Sequence, residues 1–123
     1  MSFCTAINCM DGRTQLPVID FLKNRFDAQY VDSVTEPGPV LALSEQKDHQ
    51  TVNSIIHRVV ISVKKHTSKG IAIVAHYDCA GNPLEKNRQL KQLAASVKFI
   101  AEKFPAVPVI GLWVDENWSV TEV

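Results

Sequence analysis

Residues 71–75, which read IAIVA, constrain the fold of this chain more than any other segment. No polar residue interrupts the run, and three of its side chains are β-branched, which is typical of a strand buried on both faces. Such strands occur in parallel sheets covered by helices on both sides. The segment therefore predicts a central strand of an α/β protein.

The remaining apolar segments predict further strands on either side of that central strand. The predicted strands are residues 3–8, 28–34 and 109–114, with residues 40–43 (VLAL) as a short extended piece. A short antiparallel edge strand is expected from Trp118, after a turn at Glu116 and Asn117. We see no internal repeat and no low-complexity segment.

Three segments between these strands have helical periodicity. The first helix is predicted from Thr14 with Pro17 in its first turn, and the second runs from the N-cap Asp48 to Gly70. The third begins with Asn82 as N-cap and Pro83 at the first helical position. Its buried stripe is predicted to comprise Leu90, Leu93, Ala94, Val97, Ala101 and Phe104, and Pro105 ends it.

This order of strands and helices predicts a three-layer α/β/α fold with a mostly parallel central sheet and a short antiparallel C-terminal edge strand. A chain of 123 residues with 46% hydrophobic content can bury one core of that size. We therefore expect a single domain over residues 1–123.

Charge and hydropathy exclude several classes of partner. The 13 basic and 13 acidic residues give a formal net charge of zero, so no electrostatic footprint for nucleic acid or an anionic membrane surface is present. No apolar run approaches the roughly 20 residues that span a bilayer. The N-terminus lacks the features of a signal peptide, so a cytoplasmic protein is expected.

Three cysteines, an odd number, make a disulfide framework improbable in a reducing compartment. Thiols that stay reduced there are packed as small apolar groups, are reactive, or bind metal. Two of the three lie in polar stretches that follow predicted strands. CMDGR (9–13) follows the first strand, and HYDC (76–79) follows the third.

These two stretches are expected to meet in the folded chain. Open parallel sheets bind ligands beyond the carboxyl ends of their strands, where the strand order reverses. If the first and third strands are neighbours at that reversal, Cys9, His76 and Cys79 face one crevice. Two thiolates and an imidazole suit zinc and leave a fourth position for water.

A carboxylate and a guanidinium accompany the predicted zinc ligands. Zinc of this kind lowers the pKa of bound water to about 7, which gives zinc-bound hydroxide at neutral pH. Asp11 is placed to accept that hydroxide's proton in a hydrogen bond, and Arg13 to hold the carboxylate ionised and in place. Asp11 and Arg13 are therefore the candidate catalytic residues.

Structural explanations of the same residues remain open at this point. Cys9 and Cys79 would then be small core residues, His76 a hydrogen-bonded surface histidine and Arg13 an ordinary surface ion-pair partner. We favour a structural or solvated role for Asp78. The other expectations are a core role for Cys4, core or hairpin packing for Trp113 and Trp118, and solvated side chains for His49, His57 and His66.

The pattern C-x-D-x-R followed by H-x-x-C in a parallel α/β chain resembles the β-class carbonic anhydrases, which hydrate carbon dioxide to bicarbonate. The resemblance implies zinc ligation by Cys9, His76 and Cys79 and a catalytic pair of Asp11 and Arg13. In that family the aspartate either pairs with the arginine or becomes the fourth zinc ligand, so Asp11 is also a candidate ligand. GLWVDENWSV resembles the family's last strand and hairpin, and the likeness covers residues 3–120.

Several departures mark this chain as a short, divergent member of such a family. It begins almost directly at the first strand, so the N-terminal arm that wraps the dimer partner in the family is expected to be absent. TEPGPVLAL stands where the family has Arg-Asn-Ala-Gly-Asn, and Ala80 stands where it usually has glycine. Pocket walls in the family are partly built across the dimer, so these changes bear on substrate binding more than on metal binding.

The resemblance implies a zinc lyase of the carbonic anhydrase type that acts on carbon dioxide and bicarbonate, as a homodimer or higher homo-oligomer. Two alternatives stay open. One is hydrolysis of a related small substrate such as carbonyl sulfide. The other is a non-enzymatic zinc-binding module in which Asp11 closes the fourth position.

Overall fold

The computed structural model, which describes residues 1–123, contains one sheet of five strands: β1 (Phe3–Cys9), β2 (Tyr30–Glu36), β3 (Ile71–His76), β4 (Val109–Val114) and β5 (Val120–Glu122). Their order across the sheet is β2-β1-β3-β4-β5. The first four run parallel, and β5 pairs with β4 in the antiparallel sense. The predicted mostly parallel sheet with an antiparallel edge strand is confirmed.

Four helices cover the sheet: α1 (Gly12–Arg25), α2 (Pro39–Glu45), α3 (His49–Lys65) and α4 (Lys86–Lys103). Val18 and Leu22 of α1 pack with Cys4 on one face of the sheet. On the other face, one core cluster joins β1 and β3 to α2, α3 and α4 through residues such as Ile55 and Leu93. The three layers that the sequence predicts are therefore present.

The central strand β3 takes part in both cores. All six of its residues are buried. Ile71, Ile73 and Ala75 face the α2–α4 side, whereas Ala72 and Val74 face α1, as the alternation of a strand requires. Residues 71–75 therefore lack a polar position because both faces of β3 are covered.

Three element predictions are wrong in detail near the helix starts. Residues 40–43 belong to helix α2 and are not extended, because Pro39 starts that helix and Val40 and Leu43 are buried one turn apart. Helix α1 begins at Gly12 with Asp11 as its N-cap, which places Pro17 beyond the first turn. The N-cap of α4 is Glu85, whose carboxylate accepts hydrogen bonds from the backbone N–H groups of residues 87 and 88.

The predicted buried stripe of α4 is displaced around the helix. The buried residues are Gln89, Leu93, Ser96 and Ile100, whereas Ala94 is exposed. Gln89 is satisfied by carbonyl oxygens, and Ser96 donates to the carbonyl of Gln92 over 2.8 Å. Polar side chains occupy this face because their hydrogen bonds are met inside the protein, which an apolar pattern does not reveal.

Further predictions on the second helix and its surroundings have mixed outcomes. Asp48 caps α3 as predicted, but the helix ends at Lys65 and not at Gly70. Cys4 is a core residue, as expected. His49, His57 and His66 are exposed, as predicted. The sequence did not indicate that Nδ1 of His66 lies 2.7 Å from the Asp32 carboxylate or that its ring stacks on Phe3.

None of the four helices has both the length and the apolar character that crossing a membrane requires.

Candidate metal centre

The two chemical motifs meet because β1 and β3 are neighbours at the point where the strand order reverses. Cys9 is the last residue of β1 and His76 is the last residue of β3, so both side chains lie at the same edge of the sheet. Cys79 follows His76 after a turn. The exposed fractions of Cys9, His76 and Cys79 are 3%, 1% and 4%.

The ligand atoms of these three residues form a compact group. The Sγ atoms of Cys9 and Cys79 are 3.9 Å apart, and all three ligand atoms, including a ring nitrogen of His76, lie within 4.8 Å of one another. Tetrahedral zinc with Zn–S bonds of about 2.3 Å separates two thiolate sulfurs by about 3.8 Å. The spacing of the two thiols therefore fits one shared ion.

The histidine ring is oriented with one nitrogen free. Nδ1 of His76 lies 2.7 Å from the carbonyl oxygen of Tyr77, which can only accept a hydrogen bond. Nδ1 therefore carries the hydrogen and Nε2 keeps its lone pair, the arrangement that outer hydrogen bonds impose on metal-binding histidines. Nε2 is buried and has no hydrogen-bond partner. An orphaned buried nitrogen beside two thiols fits zinc as the missing partner.

The two thiols share a proton unequally. A hydrogen bond from Cys79 lowers the pKa of Cys9 to about 4, although burial acts in the opposite direction. The same contact, with burial, raises the pKa of Cys79. Burial lowers the pKa of His76, but the nearby Cys9 thiolate, the Tyr77 carbonyl and the Asp11 carboxylate together outweigh burial and leave that pKa raised. Because ligands bind metal in their deprotonated forms, metal binding to this cluster would release protons.

Asp11 and Arg13 lie beside the cluster as a bidentate ion pair. Nη2 and Nε of Arg13 donate to Oδ2 and Oδ1 of Asp11 over 2.7 and 3.1 Å. Asp11 also caps α1 by accepting a hydrogen bond from the backbone N–H of Arg13 over 2.9 Å. The side-chain hydrogen bond from Arg13 lowers the pKa of Asp11 to about 2. Oδ2 of Asp11 is 3.9 Å from Nε2 of His76.

Two contacts of Arg13 were not found by sequence reasoning. Its Nη1 donates to Oδ2 of Asp78 over 3.2 Å. This exposed ion pair agrees with the expected structural or solvated role of Asp78, but the sequence did not indicate Arg13 as its partner. The indole ring of Trp118 lies 4.4 Å from the guanidinium carbon. Trp113 is buried, as expected. The only sequence signal for the Asp78 contact was the position of this carboxylate between the candidate ligands His76 and Cys79.

Outer hydrogen bonds hold the backbone of the candidate ligands. Nε2 of Gln15 donates to the carbonyl oxygen of Cys9 over 2.7 Å. Nε2 of Gln89, on α4, donates to the carbonyl oxygen of His76 over 3.0 Å. Each of the strands that end in the cluster is thus tied to a helix at its last residue.

The loops after β2 and β3 pack closely beside the cluster. A Cβ added at Gly81 would lie 2.6 Å from the carbonyl carbon of Pro37, and one added at Gly38 would lie 2.7 Å from Cβ of Asn82. Gly38 also has a positive φ of 61°, which L side chains rarely adopt. These two glycines allow the loop that carries Cys79 to approach the segment that follows β2.

We expect Gly81→Ala to lower the free energy of unfolding by about 1–3 kcal/mol, because an extra carbon is forced against backbone atoms. Gly12→Ala is the matched control, since nothing lies within 4 Å of a Cβ added there. Urea denaturation of both metal-free variants measures the difference. Equal stability of Gly81→Ala and wild type would contradict the close packing.

A sequence model of the family described as "Putative carbonic anhydrase" matches residues 1–123, which is the whole chain. The chain belongs to this family. Its fold agrees: a tetrameric beta-carbonic anhydrase from Sordaria macrospora superposes with a TM-score of 0.62 at 14% identity, covering 98% of this chain and 79% of that one.

Other carbonic anhydrases share the fold at similarly low sequence identity. The protein from Glaciozyma antarctica gives a TM-score of 0.60 at 11% identity and covers 97% of this chain and 80% of its own. The beta-carbonic anhydrase CafD of Aspergillus fumigatus, in a mutant form, gives 0.61 at 12% identity, with 100% and 89% covered. No curated protein matches the chain. At these identities the structural likeness shows the carbonic anhydrase fold alone.

Proposed function

We propose that this protein is a zinc lyase that catalyses the reversible hydration of carbon dioxide to bicarbonate. The observation that carries the proposal is the buried, unpartnered Nε2 of His76, on a ring with one nitrogen within 4.8 Å of two thiol sulfurs. Membership of the carbonic anhydrase family supports the choice of reaction. The catalytic unit would be one domain over residues 1–123.

Cys9, His76 and Cys79 would hold the zinc ion. When bound, zinc would supply Lewis acidity that makes water a nucleophile near neutral pH. The hydrogen bond from Nδ1 of His76 to the carbonyl of Tyr77 keeps the imidazole in the tautomer that ligation needs. Burial of all three side chains keeps competing solvent away from the cluster.

Asp11 would orient the attacking water. Its carboxylate is ionised throughout the neutral range because Arg13 lowers its pKa to about 2. An ionised carboxylate can only accept hydrogen bonds, so it fixes the direction of the water O–H and turns a lone pair toward carbon dioxide. Hydration then forms one C–O bond while one C=O π bond of carbon dioxide opens and one O–H bond of the water breaks, and the proton passes to solvent. Arg13 holds the carboxylate in the required position.

Zinc analysis and stopped-flow carbon dioxide hydration, on wild type and Cys79→Ser, test the proposal. We expect near-stoichiometric zinc and hydration in wild type, and loss of both in the variant. Removal of zinc by a chelator should abolish activity, and zinc alone should restore it.

Three other outcomes would redirect the proposal. Zinc without hydration, together with Asp11 as fourth ligand over a range of pH, would favour the non-enzymatic module. That reading has a specific basis, since Oδ2 of Asp11 is only 3.9 Å from Nε2 of His76. Zinc with turnover of carbonyl sulfide but not carbon dioxide would change the substrate. Wild type without zinc would contradict the metal centre.

We also propose a homodimer or higher homo-oligomer. Several large apolar side chains are exposed, including Met10 and Tyr77, which directly follow Cys9 and His76. Tetramers are described for the Sordaria macrospora protein, which shares the fold. Sedimentation velocity should give a mass above the 13.7 kDa of one chain. A concentration-independent monomer would contradict this assignment.

The cytoplasm is the proposed compartment. All three cysteines are free, and two of them must remain reduced thiols to bind metal. A reducing compartment preserves that state. Fractionation of the source cells tests this part of the proposal. Finding the protein outside the soluble cytoplasmic fraction would contradict it.

A further inference from the structure

We propose that Asp78 and Trp118 are positioning residues that hold Arg13, and that through Arg13 they keep Asp11 away from the metal position. The inference rests on the proposed function, because it concerns the same Asp11 and Arg13. Neither Asp78 nor Trp118 is a fixed position of the two motifs. We call Arg13, Asp78 and Trp118 together the arginine clamp.

The guanidinium group of Arg13 is held along two edges. One edge, Nε and Nη2, donates to the carboxylate of Asp11. The adjacent edge, Nη1 and Nη2, is taken by Asp78, whose Oδ2 accepts from Nη1 over 3.2 Å and whose carbonyl oxygen accepts from Nη2 over 3.1 Å. A planar guanidinium group that donates hydrogen bonds along two edges cannot rotate in its plane without losing some of them.

The face of the same group is covered by an aromatic ring. The guanidinium carbon of Arg13 lies 4.4 Å from the ring centroid of Trp118, which is cation–π distance. Trp118 lies in the turn between β4 and β5. The carboxylate of Asp115 shapes that turn by accepting the backbone N–H groups of Asn117 and Ser119 over 2.9 and 3.0 Å. These hydrogen bonds hold the backbone of the turn that carries the ring.

Both partners of Arg13 have an unusual backbone. Asp78 has a φ of 57° and Trp118 a φ of 60°, in the left-handed region that non-glycine residues seldom occupy. For a bulky residue such as tryptophan this conformation costs free energy. Both side chains contact Arg13 from loops that have this backbone conformation. The two contacts therefore depend on the conformation of these loops.

The arginine clamp affects Asp11 because one carboxylate oxygen of Asp11 lies near both Arg13 and His76. Oδ2 of Asp11 is 2.7 Å from Nη2 of Arg13 and 3.9 Å from Nε2 of His76. A carboxylate released from Arg13 needs only a short movement to approach the candidate ligands. Asp78 and Trp118 hold the terminal edge and one face of the Arg13 guanidinium group. They therefore favour the position in which Asp11 pairs with Arg13.

The first experiment uses the metal-free protein and observes the side-chain Nε–Hε group of Arg13 by ¹⁵N NMR. The variants are Asp78→Asn, which suits a left-handed backbone and removes only the charge, and Trp118→Leu, which removes the aromatic face. We expect a lower heteronuclear NOE for this group in both. Asp20→Asn, an exposed carboxylate on α1 without an ion pair, is the matched control, and Trp118→Phe should restore the wild-type value.

The second experiment measures azide binding to the cobalt-loaded protein by its visible absorption, without turnover. If Asp11 enters the metal position more often when the clamp is weakened, azide must compete with it. Removing the exposed ion pair or the cation–π contact is in each case expected to weaken azide binding about 2- to 5-fold. Asp11→Ala in the same background should abolish that difference.

Each result decides a separate point. An unchanged Arg13 signal in both variants would overturn the positioning role. A loosened Arg13 with unchanged azide affinity would overturn the effect on Asp11. Failure of the wild type to bind cobalt would contradict the proposed function instead, and the NMR result would still decide whether Asp78 and Trp118 hold Arg13.

Discussion

Replacing His76 by leucine is expected to abolish stable zinc binding, with a loss of affinity greater than about 100-fold. That figure is the upper range for removing a residue that merely supports a ligand, and His76 supplies the ligand atom itself. Competition with a chromophoric zinc chelator measures the change. The matched control is His57→Leu, because His57 is exposed on α3.

The same substitution has a different consequence for the metal-free protein. Nε2 of His76 is a buried nitrogen without a hydrogen-bond partner, and such atoms destabilise the folded state. Leucine removes that atom and fills similar space. We therefore expect His76→Leu to fold with a metal-free stability close to that of wild type or above it.

Zinc should then raise the melting temperature of wild type but not of the variant, because a ligand stabilises only the folded state that binds it. Differential scanning calorimetry with and without zinc makes this comparison. An equal rise in both proteins would show that the ion binds elsewhere and would remove His76 from the metal centre.

The meeting of Cys9, His76 and Cys79 in one cluster could be predicted because it follows from topology. Cys9 and His76 end two strands, and the reversal of strand order between β1 and β3 brings those ends together. An apolar run marks β1 and β3 in the sequence, and a change of period marks α1, α3 and α4. The identity of the three candidate ligands then needed only their order in the chain.

The contacts of Arg13 could not be predicted in the same way. Asp78 contacts Arg13 from a position with a left-handed backbone, and Trp118 contacts it from a hairpin more than a hundred residues away in sequence. Neither feature leaves a periodic pattern. The rotation of α4 has a similar origin, since the burial of Gln89 depends on carbonyl partners that only the folded chain supplies.

The first turn of α1 shows how one residue can serve both structure and chemistry. The pair Asp11-Gly12 resembles a turn in sequence, yet Asp11 is an N-cap and Gly12 the first helical residue. The cap fixes the backbone of Asp11, and the ion pair fixes its side chain. The residues expected to act on substrate are thus positioned by ordinary helix-capping contacts.

Asp11→Asn is expected to lower carbon dioxide hydration about 100-fold while zinc is retained. Asparagine can still cap α1 and nearly matches aspartate in shape, so the helix start is preserved. Its amide presents one acceptor oxygen where the carboxylate presents two, and it carries no charge to pair with Arg13. Positioned groups of this kind contribute about 10²–10⁴ in rate.

The control is Asp48→Asn, the same substitution at the N-cap of α3, where the carboxylate accepts a hydrogen bond from the backbone N–H of Thr51 over 3.1 Å. It should leave hydration unchanged, since Asp48 lies outside the candidate site. Stopped-flow kinetics on the zinc-loaded proteins measure both. Because the pKa of Asp11 is lowered to about 2, the wild-type rate should not fall between pH 6 and pH 4 through protonation of this carboxylate. If zinc-loaded Asp11→Asn hydrates carbon dioxide at the wild-type rate, Asp11 has no role in the reaction and only the structural role of capping α1.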